Sequence, residues 1–551
     1  MILKYARLAA VAMAAFASIA GCPPTEETGN QPTTDRVGQP TADFNPSLDV
    51  SLKATSDQVP IIPGPATSVL TYKPELITGD ASRIASLPGS YLGPVIRARR
   101  GDRLRVRLIN ELSEPTIIHW HGMRVPPEMD GHPRYNIGAG EEFVYEFEVR
   151  DRAGTYWFHP HAHGFTASQV YRGLAGLLLV SDEQEDAVGL PSGDYDIPLV
   201  IQDRMFDDEN QFIYPPNSSM MMDGFLGDRI LVNGRPDYAL SVAKRAYRLR
   251  LLNGSNSRTY KLAWSDGTPL MVIATDGGLL GRPVQRDYVT LAPGERIELW
   301  ADFSQYALGS EISLESLAFS GADVGMDMMS MMGSRDDGMM GGHMMKPVGS
   351  GAAQMMDSDG HGEMSDAPPN GAAMRVMHVR VEREEAISEV LPDKLSELIE
   401  YRLEDASNAG TPRRFSVSVA MSMMSGMQWG FDGLTFQQDD VADHEVVPFN
   451  TLEVWEFVNE TAPMAMNHPL HVHGVQFQVI DRSVMPDFAA GWESVRDGYV
   501  DNGWKDTLLV MPGERVKLLI QFSDFPGEYL YHCHNLEHED GGMMRNIRVD
   551  R

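Results

Sequence analysis

Residues 531–544 combine one cysteine with histidines and a methionine at short spacing. Cys533 lies between two histidines, a third histidine follows five residues after it, and Met543 follows ten residues after it. Thiolate, imidazole and thioether groups together are the ligands of blue copper sites. Because neighbouring side chains on a strand point to opposite faces, His532 and His534 cannot share the metal of Cys533 but can bind ions behind it. Such an arrangement would pass an electron from the cysteine-bound ion through the backbone to the other ions.

Three further histidine clusters extend this pattern. Each contains a His-x-His pair, and alternation on a strand would let the two imidazoles reach different metals of one cluster. A single His-x-His pair is a weak signal, but four clusters, one of them centred on a cysteine, are a strong one. The three clusters are His119-Trp120-His121-Gly122, His159-Pro160-His161-Ala162-His163-Gly164 and His468-Pro469-Leu470-His471-Val472-His473-Gly474.

A repeated segment indicates the strands that position these histidines. An alternating stretch that ends in asparagine occurs three times, and each copy is followed by a turn ending in Gly-Glu and another alternating stretch. Period-two alternation with β-branched and aromatic residues predicts strands. Three copies predict an all-β chain of three consecutive Greek-key sandwiches. The stretches are 104–110, 247–253 and 452–459, and the turns are 138–141, 292–295 and 511–514.

The three copies differ in their histidines. Nine residues beyond the repeated asparagine lies His119 in the first copy and His468 in the third, but Leu262 in the second. The clusters at His159 and His532 likewise have no counterpart in the middle copy. We therefore expect metal sites in the first and third units, with the middle unit as a spacer.

The chain is long and strongly acidic. Its 551 residues predict two to four domains. With 46 basic and 77 acidic residues, the net charge is −31. This excess of negative charge argues against a nucleic-acid partner and favours attraction of cations.

The first 22 residues have the features of an export signal. Lys4 and Arg7 precede an apolar run, 8–19, that is too short to span a bilayer. Residues 19–22 resemble a bacterial lipobox, which predicts a lipid anchor on Cys22 at the periplasmic face of a bacterial membrane; an ordinary cleaved signal peptide is the alternative. Residues 23–45 predict a flexible tether. Cys22 and Cys533 are the only cysteines, and if one is lipidated and the other binds copper, none remains for a disulfide.

The four histidine clusters resemble the copper signatures of the multicopper oxidases, the family of laccases and cuprous oxidases. The resemblance covers nearly the whole chain after residue 45. It implies cupredoxin-like domains and four copper ions, one of type 1, one of type 2 and a type 3 pair. The implied type 1 ligands are His468, Cys533, His538 and Met543, the type 2 ligands are His119 and His471, and the type 3 ligands are His121, His159, His161, His473, His532 and His534.

The resemblance also implies a reaction. Type 1 copper would take single electrons from a reducing substrate, and the three-copper cluster would use four of them to reduce dioxygen to water. Glu539 and Asp130 match acidic positions of the family near the cluster and would supply protons there. The alternative for both residues is an ordinary surface carboxylate.

A methionine-rich segment bears on the substrate. Residues 326–364 hold twelve methionines among Gly, Asp and Ser. Thioethers favour Cu(I), whereas methionine is usually core filler. The similar insertion of periplasmic cuprous oxidases implies Cu(I) as the substrate and copper detoxification as the role; a low-complexity loop or a redox scavenger is the alternative. Further thioethers that could bind substrate copper are Met464, which stands where those enzymes have Asp, and Met466, Met421, Met423, Met424 and Met427.

The sequence also leads to expectations about oligomeric state, substrate and domain boundaries. The chain is expected to act as a monomer on Cu(I) or other small reducing substrates. The alternatives are a laccase-like phenol oxidase, an Fe(II) or Mn(II) oxidase, and a non-enzymatic copper-sequestering protein or scaffold of this fold, which the complete ligand set disfavours. The predicted parts are the signal peptide (1–22), tether (23–45), cupredoxin domain 1 (46–185), copper-free domain 2 (186–320), methionine-rich insertion (321–370) and blue-copper domain 3 (371–551).

Overall fold

The computed structural model describes residues 37–215, 222–322, 367–385, 389–422, 426–459 and 466–551. Strands predominate among them, and the helices are short. No helix in these ranges is long and apolar enough to cross a membrane. The helices are α1 (Thr166–Arg172), α2 (Glu183–Val188), α3 (Ala489–Glu493) and α4 (Leu536–Asp540).

The first repeat forms two sheets. Its strands are β1 (Leu48–Val59), β2 (Thr67–Thr78), β3 (Ile84–Ala85), β4 (Val95–Arg99), β5 (Arg103–Asn110), β6 (Ile118–His121), β7 (Glu142–Glu148), β8 (Gly154–Pro160) and β9 (Gly176–Ser181). The sheet orders are β2-β1-β5-β7 and β3-β4-β9-β8-β6. The pairs β1–β5 and β4–β9 are parallel. Parallel neighbouring strands cannot be joined by a hairpin, so the chain crosses over between them, as it does in a Greek-key sandwich.

The middle repeat also forms two sheets. Its strands are β10 (Asp196–Arg204), β11 (Arg229–Val232), β12 (Arg235–Pro236), β13 (Ala239–Ala243), β14 (Ala246–Asn253), β15 (Tyr260–Trp264), β16 (Leu270–Thr275), β17 (Gly278–Arg286), β18 (Val289–Leu291), β19 (Arg296–Asp302), β20 (Glu311–Ser316) and β21 (Met374–Arg383). The sheet orders are β12-β11-β10-β14-β19-β16-β17 and β13-β21-β20-β15-β18.

The strand β21 corrects one predicted boundary. It follows the methionine-rich segment, yet it pairs with β13 and β20. Its residues Val379 and Val381 are buried in the hydrophobic core of the middle repeat. The middle repeat therefore extends to β21, and the boundary placed at residue 371 was wrong because this strand is needed to cover that core.

The third repeat carries the remaining strands. They are β22 (Arg413–Ser422), β23 (Gly426–Phe431), β24 (Val446–Pro448), β25 (Thr451–Val458), β26 (His468–Val472), β27 (Phe477–Val484), β28 (Thr507–Val510), β29 (Glu514–Phe522), β30 (Gly527–Cys533) and β31 (Met544–Asp550). The sheet orders are β23-β22-β25-β29-β27 and β24-β31-β30-β26-β28. The fold is therefore all-β, with one pair of sheets for each sequence repeat.

The repeated asparagine has the same function in each unit. Asn110, Asn253 and Asn459 are buried at or just beyond the ends of the equivalent strands β5, β14 and β25. The Nδ2 group of each donates to two backbone carbonyls, those of Glu114 and Ile137, of Arg258 and Leu291, and of Met466 and Val510. Buried carbonyls need such donors. The asparagine therefore fixes the segment that leads from the strand to the next, histidine-bearing strand in the first and third units.

The Asn459→Ala variant is expected to lower the free energy of unfolding by about 1–3 kcal/mol, because it leaves the carbonyls of Met466 and Val510 without their donor. Asn502, which is exposed and lies outside these contacts, gives a matched control. Its change to alanine should stay within about 0.5 kcal/mol of the parent. Urea unfolding followed by tryptophan fluorescence measures both, and equal losses would contradict the role of Asn459.

Candidate metal centre

The four residues predicted for type 1 copper meet in the core of the third unit. Cys533 ends β30, His468 begins β26 and His538 lies in α4. The Cys533 Sγ atom lies 3.4 Å from His468 Nδ1 and 3.7 Å from His538 Nδ1. Backbone hydrogen bonds from Met543 N to His538 O and from Cys533 N to Met543 O fold the chain back onto the cysteine. Cys533 and Met543 lie in one buried apolar cluster.

Burial determines the protonation of these groups. It raises the pKa of the Cys533 thiol, lowers the pKa of His538 to about 3 and lowers the pKa of His468 well below its usual value. Both imidazoles are therefore neutral and have a lone pair to offer. A buried thiolate needs a nearby cation to offset its charge. A donor set of one thiolate and two imidazoles beside a thioether fits copper in this role.

Eight further histidines converge where the first and third units meet. Pairing of β6 with β8 places His119 opposite His159, and pairing of β26 with β30 places His471 opposite His532. The ends of these four strands thus direct their imidazoles into one buried space. The histidines form three groups, His119 with His471, His121 with His159 and His534, and His161 with His473 and His532.

The pair of His119 and His471 shows how the space fits a metal. His119 Nδ1 donates to the Asp130 carbonyl, and His471 Nδ1 donates to the Asp506 carbonyl, both at 2.8 Å. Because a carbonyl oxygen only accepts, each Nε2 atom carries a lone pair. The two Nε2 atoms lie 3.2 Å apart. Two lone pairs facing each other at this distance are satisfied by a shared cation.

The other six histidines repeat this arrangement. The rings of His534 and His161 are both buried. Both nitrogens of His534 and the Nδ1 atom of His161 lack a hydrogen-bond partner among the described residues. Unpaired buried nitrogens cost free energy, which a bound metal would offset. The facing nitrogens are His121 Nδ1 and His159 Nε2 at 3.4 Å, His161 Nε2 and His532 Nε2 at 3.3 Å, and His473 Nε2 and His532 Nε2 at 3.0 Å.

The two predicted acidic residues are buried beside these histidines. Asp130 Oδ2 accepts from His473 Nδ1 at 2.7 Å. Glu539 Oε2 lies 3.2 Å from His532 Nδ1, and its Oε1 lies 3.6 Å from His161 Nε2. Burial raises the pKa of both carboxyl groups. Their burial rules out the alternative of ordinary surface carboxylates.

The structure adds three residues that the sequence did not single out. Asp506 Oδ1 accepts from His121 Nε2 at 3.1 Å, and Thr507 Oγ1 lies 3.0 Å from the same nitrogen. Arg296, at the start of β19, forms a buried ion pair with Asp506. No short motif marks this contact, because 210 residues separate Arg296 from Asp506.

The predicted substrate-copper methionines are placed only in part. Met466 is buried in the cluster that contains Cys533 and Met543, and its role in binding substrate stays a prediction. The strands β22 and β23 include the backbones of Met421 and Met427. The side chains of Met421 and Met427, together with Cys22, Met423, Met424, Met464 and residues 326–364, lie outside the described part of the chain.

Comparison with known proteins identifies the family. Two family models, both described as multicopper oxidase, match residues 70–185 and 412–551. A laccase of Bacillus stratosphericus is 31% identical over 508 residues, which cover 84% of this chain and 89% of that protein. The structure of the multicopper oxidase McoA of Aquifex aeolicus is 33% identical, with a TM-score of 0.71 over 92% of this chain and 97% of that one. A multicopper oxidase of Campylobacter jejuni, described as a metallo-oxidase, is 25% identical, with a TM-score of 0.67 over 91% of each chain. The chain therefore belongs to the multicopper oxidase family, and it is a copper-dependent oxidoreductase with cupredoxin-like domains that uses dioxygen to oxidise a reducing substrate.

Proposed function

We propose that this enzyme oxidises Cu(I) to Cu(II) and holds four copper ions for the purpose. Copper supplies the one-electron oxidation of the substrate and the four-electron reduction of dioxygen to water. The type 1 ion would bind to His468, Cys533, His538 and Met543, the type 2 ion to His119 and His471, and the type 3 pair to His121, His159 and His534 and to His161, His473 and His532.

The observation that carries Cu(I) as the substrate is the position of both ends of the methionine-rich segment. Ahead of the segment, the Ala322 carbonyl accepts from Asn467 N at 3.1 Å. Beyond it, the Asn370 side chain accepts from Thr259 N at 3.1 Å, and Thr259 Oγ1 accepts from Asn467 Nδ2 at 3.2 Å. Both ends are therefore tied to the residue that precedes His468. A thioether-rich segment attached there is suited to deliver Cu(I) to this histidine.

The surroundings of His538 also favour an approach of the substrate from the side of His468. Its Nε2 donates to the Met222 carbonyl at 2.8 Å, and its ring stacks on the buried Trp429 at 3.8 Å. The outer edge and one face of this imidazole are thus covered by protein. Substrate is expected to approach His468 rather than His538.

The two buried carboxyl groups are proposed to handle the protons that dioxygen reduction consumes. Asp130 Oδ1 and both oxygens of Glu539 are buried without a hydrogen-bond partner among the described residues. These oxygens are free to hold a proton beside the histidine groups. Asp130 lies next to His119 and His473, and Glu539 lies next to His532.

Oxygen uptake driven by Cu(I) tests the substrate. Deletion of residues 326–364 is expected to lower kcat/KM for Cu(I) by about tenfold or more, equal to a loss of about 1.4 kcal/mol of transition-state stabilisation. The same deletion should leave activity on a bulky methoxyphenol equal or higher, because a phenol does not need thioether ligands to reach the site. The phenol thus serves as the internal control for folding and copper loading.

The opposite result favours the second candidate, a laccase-like oxidase. Relatives from Bacillus stratosphericus and Bacillus subtilis are named laccase. Cu(I) oxidation that is unchanged by the deletion, together with strong activity on phenols, Fe(II) or Mn(II), would replace the Cu(I) proposal. Absence of any oxidation that requires Cys533 would point instead to copper sequestration.

We further propose that the protein is exported, anchored by lipid at Cys22 and active as a monomer at the periplasmic face of a bacterial membrane. The basic residues followed by an apolar run within residues 1–22 support export. The proposed domains are 46–185, 186–383 with the methionine-rich insertion inside it, and the remainder to residue 551. Cys22→Ala should release the protein from the membrane fraction, and unchanged attachment would contradict the anchor.

A further inference from the structure

One buried arginine of the middle repeat lies beside the metal centre. Arg296 is fully buried, and all five of its N–H groups are used. Two of them form a bidentate pair with Asp506, from Nη1 to Oδ1 at 2.7 Å and from Nη2 to Oδ2 at 2.6 Å. The other three donate to the carbonyls of Thr155, Gly294 and Asp276 at 3.0–3.1 Å. The guanidinium group therefore binds the first, middle and third repeats together.

Asp506 transmits this contact to two histidines from different repeats. Its Oδ1 accepts from His121 Nε2, which leaves His121 Nδ1 to face His159. Its backbone carbonyl accepts from His471 Nδ1, which leaves His471 Nε2 to face His119. One aspartate thus sets which nitrogen of His121 and His471 is presented to the metal. Such outer hydrogen bonds fix the tautomer and orientation of metal-binding histidines.

The backbone next to the cluster leaves no room for an alternative arrangement. Gly122 follows His121 with φ +85°, and a Cβ atom there would lie 2.5 Å from Arg296 Nη2 and 2.5 Å from Asp506 Oδ2. Gly294, whose carbonyl accepts from Arg296, has φ +83°, and a Cβ atom there would lie 2.9 Å from the His534 ring. The pair and the turn that supports it are therefore packed directly against the histidines.

A second buried cation, Lys505, lies behind the pair. Lys505 Nζ lies 3.1 Å from Asp276 Oδ2 and 2.9 Å from Glu295 Oε1. Asp276 Oδ1 in turn accepts from the backbone N–H of Arg296 at 2.7 Å. Buried charges of this kind hold a fixed geometry only when each is paired and hydrogen bonded.

We propose that Arg296 is a positioning residue for the trinuclear copper cluster, and that it acts through Asp506 on His121 and His471. The middle repeat is then part of the cluster's support rather than a spacer. This inference rests on the ligand assignment proposed above.

Copper retention in five variants tests the proposal. Arg296→Met should speed the release of type 2 and type 3 copper to a chelator by about 10- to 100-fold and alter the type 2 electron paramagnetic resonance spectrum. Its blue absorption, which reports type 1 copper, should stay unchanged. Arg296→Lys keeps the charge but loses the two-pronged pair, so its release rate should lie between those of the parent and Arg296→Met.

Arg250→Met is the matched control. Arg250 is a buried arginine of the same repeat and is paired with Asp196 and Glu298, away from the histidines. Its loss should reduce stability and leave copper release unchanged. The last two variants are Asp506→Asn and the double variant that combines it with Arg296→Met. They should release copper at the same rate, because Asp506→Asn already breaks the ion pair that Arg296→Met removes.

Each outcome separates the two proposals. A parent protein that binds no trinuclear copper would overturn the ligand assignment. A parent that binds it while Arg296→Met and Arg296→Lys keep its release rate and spectrum would overturn the role of Arg296 alone. Equal release from Arg250→Met and Arg296→Met would reduce Arg296 to a general contribution to folding and also overturn it.

Discussion

The Cys533→Ser variant is expected to fold, to lose the blue colour of a copper–thiolate site, and to oxidise every substrate at least about 100-fold more slowly. Loss of an outer partner of a metal ligand already costs about 10- to 100-fold. This change removes the thiolate itself, the side chain that lies between His532 and His534 in the sequence. Visible absorption of the copper-loaded variant and its oxygen uptake with Cu(I) measure the two effects.

Cys533→Ala is the matched control for folding. Cys533 lies in an apolar cluster, where a serine hydroxyl without a partner would cost about 1–3 kcal/mol. Alanine removes the ligand without adding a polar group. Both variants should lack the blue colour, and the alanine variant should lose less stability to polar burial. A variant of either kind that stays blue and active would exclude Cys533 as a copper ligand.

The copper-free protein is expected to lose stability steeply as the pH falls below about 6.5, the pKa of histidine in an unfolded chain. Below that pH the unfolded chain binds protons that the folded chain excludes. Each such histidine therefore makes its full contribution to the free energy of unfolding above that pH, and below it the free energy decreases by up to about 1.4 kcal/mol per pH unit. Burial lowers the pKa to about 3 for His532 and His538, and well below the usual value for His121, His159, His161, His468, His471, His473 and His534.

Summed over these nine histidines, a fall of about one pH unit removes a free energy comparable to the whole stability of a typical protein, about 5–15 kcal/mol. We therefore expect the copper-free protein to unfold between about pH 6 and pH 5. The copper-loaded protein should resist this range, because metal rather than protons occupies the inner nitrogens. Circular dichroism of both forms across the range tests the difference, and identical pH profiles would contradict the copper assignment.

The sequence was sufficient to predict that these histidines lie close together, because their signal is local. A His-x-His pair on a strand, such as His119 and His121, separates its two side chains whatever surrounds it. The repeat around Asn110, Asn253 and Asn459 was equally local, and it predicted three equivalent units. Their shared hydrogen bonds explain why the asparagine recurs.

Contacts between residues far apart in the sequence have no such local signal. Strand β21 resembles any alternating segment, and only its pairing with β13 and β20 assigns it to the middle unit. Arg296 likewise stands in a repeat without a histidine cluster, so the sequence predicted that its unit is a spacer. Its partners on three different repeats could be recognised only after the sheets had been placed. Residues that complete a site from another unit leave no spacing pattern to read.

The contribution of both ends of the chain to one centre has a consequence for biosynthesis. His161 and His532 face each other across 371 residues. At a synthesis rate of about 5–20 residues per second, the first-unit histidines wait roughly 20 to 70 s for their partners to leave the ribosome. During that interval the nascent chain presents only four of the eight clustered histidines. A chain that terminates before Cys533 can fold two units and still hold no complete centre, so copper content reports that the polypeptide was finished.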